Sequence, residues 1–182
     1  MIAGLFLVIQ LFVQSQSEVC KGDFPNATEV MTLLNRTYML QSQEHSPNMQ
    51  CAYQIFYHKS YRNELREKYD YVVQPQSRKP PLHKPMYVWR VANSTIYLSS
   101  QPEFEKDFTQ LDILFSDLKS CIVTKGPDLK DIPKACRLWL TENFFTDPLP
   151  ECTRGFERHC ESIPMSYFHY NITGCTDLNV HN

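Results

Sequence analysis

The 182-residue sequence contains only five glycines, and none of them forms a phosphate-binding loop or the strained turn of a hydrolase nucleophile. A helical zinc-protease motif is also missing. Formal charges nearly balance, at −2 overall, so the sequence lacks the basic excess of proteins that bind nucleic acid or anionic membranes. These absences favour a binding protein without catalysis, cofactor or metal over an enzyme.

Long hydrophobic runs are missing after the N-terminus, where residues 1–13 form an uncharged apolar segment. Its length matches the core of a secretory signal peptide, and small or polar residues follow it around Ser15 and Ser17. We expect residues 1–17 to be removed, which leaves residues 18–182 as a single secreted domain without a membrane anchor. A buried helix or an uncleaved anchor is the alternative.

Cysteine is plentiful, at seven residues, and behind a signal peptide this count indicates disulfides formed in an oxidising compartment. Four sequons, at Asn26, Asn35, Asn93 and Asn171, would become glycosylation sites there. We expect a glycan on Asn93, at a turn between two strands, and on Asn171, and both should face solvent. Because the cysteine count is odd, one thiol is free or pairs with another molecule.

Short runs rich in tyrosine, valine, isoleucine and phenylalanine follow one another from Thr37 onward, separated by proline, asparagine, aspartate and lysine. This pattern is typical of an antiparallel all-β domain, and eight such runs suffice for a small closed barrel. The predicted strands are 37–41, 50–58, 69–73, 86–91, 95–98, 110–115, 120–124 and 135–141.

Two segments have helical character. Thr28 offers an N-cap for a short apolar helix before the first strand. The second segment begins with prolines, which suit a first turn, and its Cys152, Phe156 and Cys160 would share the face that lies against the barrel. The proline-rich segment 74–85 is expected to be a solvated loop between strands.

Five cysteines flank or follow a Leu-Trp pair at 138–139, and an aromatic segment precedes the last of them. They are Cys121, Cys136, Cys152, Cys160 and Cys175. This order resembles the tick salivary lipocalins, the family named for its histamine-binding members, over roughly residues 51–175. The resemblance implies an all-β fold, an eight-stranded antiparallel lipocalin barrel with a short N-terminal helix and a C-terminal helix packed on the outside. It also implies that Cys20 is the odd thiol and that the disulfides are Cys51–Cys175, Cys121–Cys152 and Cys136–Cys160.

Members of that family are secreted in saliva, where they sequester small host mediators or modulate host defence. The members that bind biogenic amines resemble one another in two acids, one directly after the cysteine equivalent to Cys121 and one just before the Leu-Trp pair. An amine that loses its hydration needs such buried carboxylates. This chain has Ile122 and Arg137 there. The resemblance therefore favours a small apolar or amphipathic ligand, such as a fatty acid, an eicosanoid or a sterol, over histamine or serotonin.

The alternation of side chains along the predicted strands identifies candidate ligand-binding residues. Arg137 and Trp139 are two residues apart and share a strand face. If that face is inside, Arg137 could pair with a carboxylate and Trp139 could cover an apolar chain; the alternative is a rim position for Arg137 and a plain core position for Trp139. The expected lining residues are Tyr53, Ile55, Tyr57, Trp89, Ile122, Arg137 and Trp139.

Two other functions remain open. Amine binding could be retained through other acids that enter the barrel, and the candidates are Glu44, Glu103, Asp107 and Asp112. A host immune protein could bind the outer surface, as in japanin-like members of the family, with or without a ligand inside. In each case we expect a monomer unless Cys20 pairs between chains.

Overall fold

The computed structural model describes residues 21–46, 48–57, 66–76, 80–102, 108–129, 132, 134–160 and 168–176. The expected signal peptide, Cys20, Glu103 and Asp107 lie outside the described residues. Within the described ranges the strands are β1 (Arg36–Ser42), β2 (Met49–Phe56), β3 (Lys68–Pro75), β4 (Leu82–Ala92), β5 (Thr95–Ser99), β6 (Thr109–Ser116), β7 (Cys121–Lys125), β8 (Cys136–Leu140) and β9 (Phe168–His169). The helices there are α1 (Ala27–Leu33), α2 (Pro150–Cys160) and α3 (Thr173–Thr176).

Eight antiparallel strands close into a barrel, as predicted. Pairing follows the chain from β2 to β8, β8 pairs with β1, and β1 pairs with β2. Only the first part of β1, Arg36 to Tyr38, pairs with β2. Further along, Gln41 and Ser42 of β1 pair with the short β9, so a segment near the C-terminus takes the place of β2 at this end of the barrel.

The strand boundaries differ most from prediction at β4, which begins at Leu82. Part of the proline-rich segment therefore belongs to the sheet, and the prediction of a loop through residue 85 is wrong there. Pro85 lies opposite Asp70 of β3 and is exposed. Proline cannot donate to a strand ladder, but it is accepted where its nitrogen is not needed for one.

Strand alternation divides the apolar side chains between two clusters. The interior cluster fills the barrel with residues such as Met39, Phe56, Tyr69, Ile122 and Trp139. The outer cluster lies between the barrel wall and the elements packed on it, and it includes Tyr38, Phe115, Leu138, Leu140 and Phe156. Neighbours in one strand, such as Leu138 and Trp139, therefore belong to different clusters.

Helix α2 is fastened to the outside of the barrel by two disulfides. Cys152 is bonded to Cys121 of β7, and Cys160 is bonded to Cys136 of β8. Phe156, one turn from each cysteine, is fully buried, so the predicted face of this helix does lie against the barrel. A third disulfide, Cys51–Cys175, fixes the C-terminal segment to β2. These are the pairings that the family resemblance implies.

The turn between β6 and β7 is organised by Asp117. Its Oδ1 accepts the backbone N–H groups of Lys119, Ser120 and Cys121 at 3.0, 2.8 and 3.0 Å. Burial acts to raise the pKa of Asp117, but hydrogen bonds from the Ser120 hydroxyl and from these backbone groups outweigh burial and hold the pKa below 3.8. The carboxylate also lies near Cys121 and Cys152, but both sulfurs are in a disulfide and offer no thiolate to a metal.

Helix α1 packs at the opposite end of the barrel from β9. Asn26, rather than the predicted Thr28, is the N-cap, because its side chain accepts the N–H groups of Thr28 and Glu29. The backbone of Ala27 donates to Asn93 in the β4–β5 turn. This contact places α1 at the end where β4 stops and β5 begins. Among the described residues no helix is long and apolar enough to cross a membrane.

The four sequon asparagines Asn26, Asn35, Asn93 and Asn171 are all exposed. Asn93 lies in the predicted turn, with a positive φ of 52° that asparagine tolerates well. Glycan occupancy stays a prediction.

Candidate ligand-binding site

A cavity of about 160 Å³ opens at the end of the barrel opposite α1, and we call it the mouth cavity. Its walls come from the end of β1, the β1–β2 loop, β3 and β8. Four aliphatic side chains contribute to the lining: Met39, Met49, Val73 and Ile132. The polar lining consists of Ser42, Glu44, His45, Ser46, Tyr71 and Arg137.

Arg137 is the cation of the mouth cavity and is only 3% exposed. Its Nη1 donates to the carbonyl oxygens of Gly126 at 2.9 Å and Ala135 at 3.3 Å. The guanidinium carbon lies 5.8 Å from the centre of the Tyr71 ring. Arginine stays charged at physiological pH, and hydrogen bonds to these carbonyls offset part of the cost of burying that charge. Arg137 therefore lies inside the barrel, which is the first of the two placements considered from sequence, and not at the rim.

Tyr71 lies beside Arg137 and is 2% exposed. Burial raises the pKa of its phenol, Arg137 opposes that rise, and Tyr170 and Glu44 add to it. Tyr71 therefore keeps its proton at physiological pH. Among the described residues, the mouth thus brings together the guanidinium of Arg137, the carboxylate of Glu44 and the phenols of Tyr71 and Tyr170.

Trp139 lies in the barrel interior beside Tyr71, which lines the mouth cavity. Its ring contacts Tyr71 edge-on, with the ring centres 5.5 Å apart, and its Nε1–H donates to Thr124 Oγ1 at 2.8 Å. Ile122 is paired with Trp139 across the β7–β8 ladder and is fully buried. The structure thus brings Ile122, Arg137 and Trp139 to one interior face, although only Arg137 of the three lines the cavity itself.

Beyond Trp139, on the side away from the mouth cavity, three hydrogen-bonded side chains cross the barrel. Tyr69 donates its hydroxyl proton to Gln54 Oε1 at 3.1 Å, and Gln54 Nε2 donates to Thr37 Oγ1 at 3.0 Å. All three residues are buried. Because these polar groups satisfy one another's hydrogen bonds, this layer of the barrel is a packed core and not a continuation of the mouth cavity.

Three predicted lining residues on β2 and just after it are placed outside the barrel. Tyr53 packs against Tyr38, with ring centres 5.9 Å apart, and lies under the guanidinium of Arg36. Ile55 packs against the outer cluster. Tyr57 donates its hydroxyl to Asp70 Oδ2 at 3.0 Å. The prediction that Tyr53, Ile55 and Tyr57 line the cavity is therefore wrong, because the inward face of β2 carries Ala52, Gln54 and Phe56 instead.

Trp89 does not line the mouth cavity, but it lines a separate cavity of about 260 Å³ beside α1. The β4–β5 register shifts between Val88 and Arg90, so two residues stand between the interior-facing Val88 and Val91. The indole ring has the Arg66 guanidinium carbon 3.2 Å from its centre and Phe108 at 5.5 Å. Phe108 is 40% exposed, so Trp89 lies in a partly solvated cluster away from the mouth cavity.

Two of the four acids considered for amine binding, Glu44 and Asp112, are among the described residues, and they lie in different environments. Glu44 lines the mouth cavity, as that alternative requires. Asp112 instead accepts the hydroxyl of Thr95 at 2.8 Å and pairs with Lys125 across the β6–β7 ladder. Sequence reasoning missed Tyr71 as a lining residue, although its alternation with Val73 in a predicted strand was a usable signal.

This chain is similar to one protein family and to several solved structures. The sequence model of a family described as tick histamine binding protein matches residues 23–177. A solved structure described as the AM182 serotonin complex has 16% identity and a TM-score of 0.57, over 86% of this chain and 97% of that chain. The major allergen Per a 4 from cockroaches has 12% identity and a TM-score of 0.60, over 86% and 94% of the two chains. No curated protein matches the sequence.

Proposed function

Because the chain belongs to the tick histamine-binding protein family and folds as a lipocalin-type ligand binder, we propose that it sequesters an amphipathic carboxylic acid of the fatty acid or eicosanoid class. Binding is non-catalytic and uses the mouth cavity. The carboxylate enters the cavity and pairs with Arg137.

The observation that carries this proposal is the buried guanidinium of Arg137 in the cavity wall. A carboxylate accepts hydrogen bonds from arginine in a planar, paired geometry that no neutral ligand reproduces. At about 4 Å and an effective dielectric near 20, the attraction is about 4 kcal/mol before desolvation. For a ligand ammonium at the same distance from Arg137, the Coulomb energy has the same size but is repulsive.

The size of the cavity narrows the class of ligand. A volume of about 160 Å³ is close to that of a cavity of ~150 Å³ that takes a benzene-sized molecule. The carboxyl end and the first carbons of an acid fit against Met39, Met49 and Val73, and the remaining chain extends out through the mouth. A sterol needs a larger volume and makes no use of the charge on Arg137. The geometry therefore favours the acids among the ligands expected from sequence.

A biogenic amine is the second candidate, and Glu44 is the observation that favours it. Its carboxylate lines the same cavity, and the AM182 structure described above is that of a serotonin complex. Arg137 weighs against it, because the two acids that serve the family's amine binders are replaced here by Ile122 and Arg137. The host-protein alternative stays a prediction.

Secretion is part of the same proposal. We place residues 1–17 in a cleaved signal peptide and residues 18–182 in one secreted domain. Three disulfides support this, because such bridges form and persist in oxidising compartments.

Calorimetry on the wild-type protein tests the proposal. The ligands are arachidonate, methyl arachidonate, cholesterol, histamine and serotonin. We expect arachidonate to bind more tightly than its uncharged methyl ester by about tenfold or more, which corresponds to ~1.4 kcal/mol, and to bind more tightly than both amines. Tighter binding of histamine or serotonin than of arachidonate contradicts the proposal.

A further inference from the structure

Tyr170, directly after β9, makes polar contacts with the wall of the mouth cavity. Its backbone N–H donates to the carbonyl of Leu40 at 3.0 Å. Its hydroxyl donates to the carbonyl of Glu44 and accepts the backbone N–H of Ser46, each at 3.3 Å. Glu44 and Ser46 both line the cavity. One phenol therefore holds both ends of a three-residue stretch of the wall.

Neighbouring contacts keep this stretch against β9. The ring of His45 stacks on Phe168, with ring centres 4.2 Å apart, and Gln41 Nε2 lies 3.2 Å from a ring nitrogen of His169. Five residues after Tyr170, the disulfide at Cys175 anchors the segment to β2. The C-terminal segment is thus fastened covalently on one side of Tyr170 and paired with β1 on the other.

The phenol of Tyr170 is suited to a lasting contact. Burial raises its pKa, while the backbone of Ser46 and the charge of Arg137 oppose the rise and Glu44 adds to it. The hydroxyl therefore stays protonated and able to donate at physiological pH. The ring also packs against the interior cluster, so its position does not depend on the hydrogen bonds alone.

We infer that Tyr170 is a positioning residue that sets the ligand selectivity of the mouth cavity by holding the Glu44–Ser46 wall in place. This inference rests on the proposed function, because it concerns the same cavity. A wall that is ordered before binding lowers the entropic cost of binding. It also fixes the part of the wall that carries the Glu44 carboxylate, which would repel the carboxylate of a ligand if it came closer to it.

The test compares Tyr170→Phe with Tyr97→Phe. Phenylalanine at 170 keeps the ring and removes only the hydroxyl. Tyr97 is a matched control because it is also partly buried but lies on the outer face, under the guanidinium of Arg90 at 4.3 Å. The probes are the fluorescent cis-parinaric acid and its methyl ester, together with amide hydrogen exchange at Ser46.

For Tyr170→Phe we expect the Ser46 amide to exchange about three- to tenfold faster, the loss expected for one hydrogen bond. We also expect cis-parinaric acid to bind about three- to tenfold more weakly while its ester changes less, because only the charged acid is repelled by a Glu44 carboxylate whose wall is no longer held in place. Tyr97→Phe should match the wild type in all three measurements. A purely structural role would weaken acid and ester equally.

Unchanged Ser46 exchange in Tyr170→Phe overturns the inference, and so does faster exchange with an unchanged ratio of acid to ester affinity. Failure of the proposed function gives a different result, in which the wild type binds neither the acid nor the ester. The exchange rate of Ser46 still tests the hold of Tyr170 on the wall in that case, since it needs no ligand.

Discussion

Replacing Trp139 with alanine should remove the fully buried ring that supports Tyr71 in the cavity wall and cost much of the stability of the domain. A buried tryptophan removes roughly 150–250 Å² from water, and at about 25 cal/mol per Å² this is worth about 4–6 kcal/mol. Alanine keeps a small part of that burial, so we expect a loss of about 4 kcal/mol, within the ~3–5 kcal/mol found for such changes. Thr124 also loses the indole N–H that now donates to it at 2.8 Å, which adds about 1 kcal/mol.

Trp89→Ala is the matched control, because the chain has only two tryptophans and this one is partly exposed beneath Arg66. Its loss should cost about 1–2 kcal/mol, mostly the cation–π contact and partial burial. Urea denaturation followed by circular dichroism gives both values, and at a slope near 2 kcal/mol per M the two midpoints should differ by about 1–2 M. Equal losses for the two variants would refute the assignment of Trp139 to the barrel interior and of Trp89 to the outside.

Three further predictions concern the parts of the fold that support the site. Replacing both Cys51 and Cys175 with alanine should lower the stability of the domain and also weaken ligand binding. Replacing both cysteines of the β7–α2 disulfide with alanine should lower the stability by about 2–4 kcal/mol but leave the ligand affinity unchanged, and denaturation and calorimetry measure the two effects. Gly155→Ala should destabilise by about 1–2 kcal/mol in urea despite the better helix propensity of alanine, because its Cβ would lie 2.6 Å from ring atoms of the buried Phe115. The pKa of Asp117 is held below its ordinary value of 3.8, so its contribution to stability is present above pH 3.8 and is lost as the pH falls through the lower folded pKa. Asp117→Asn should therefore flatten the decline in stability below pH 3.8 in an acid titration of unfolding.

Cysteine positions explain which strand faces could be predicted from sequence. In β8, Cys136 faces the outer helix, and alternation then puts Arg137 and Trp139 inside. The same reasoning applied to Cys51 puts Tyr53 and Ile55 outside with it, since Cys51 is bonded to the C-terminal segment. The sequence contained that signal, but apolar residues on both faces of β2 concealed it.

Other features depend on backbone irregularities and on long-range pairing. Trp89 follows the interior-facing Val88 and lies outside by ordinary alternation, but the register shift after Val88 returns Val91 to the interior, and a shift of this kind reverses the facing of the later side chains. Part of the wall of the mouth cavity is the β1–β2 loop, which packs on β9, a strand of two residues that is too short for a periodic pattern. Tyr170 consequently carried no sequence signal beyond its place near the last cysteine.

Arg137→Met tests most directly whether a buried guanidinium selects the ligand. Methionine of similar length can occupy a buried site without the desolvation cost of a charge, so the variant should fold. Arg90→Met is the control, because Arg90 is an exposed cation on the outer face. Calorimetry with arachidonate and methyl arachidonate should show that the preference for the acid, about tenfold or more in the wild type and in Arg90→Met, disappears in Arg137→Met. An acid preference that survives unchanged in Arg137→Met would contradict the assignment of Arg137 to the ligand site.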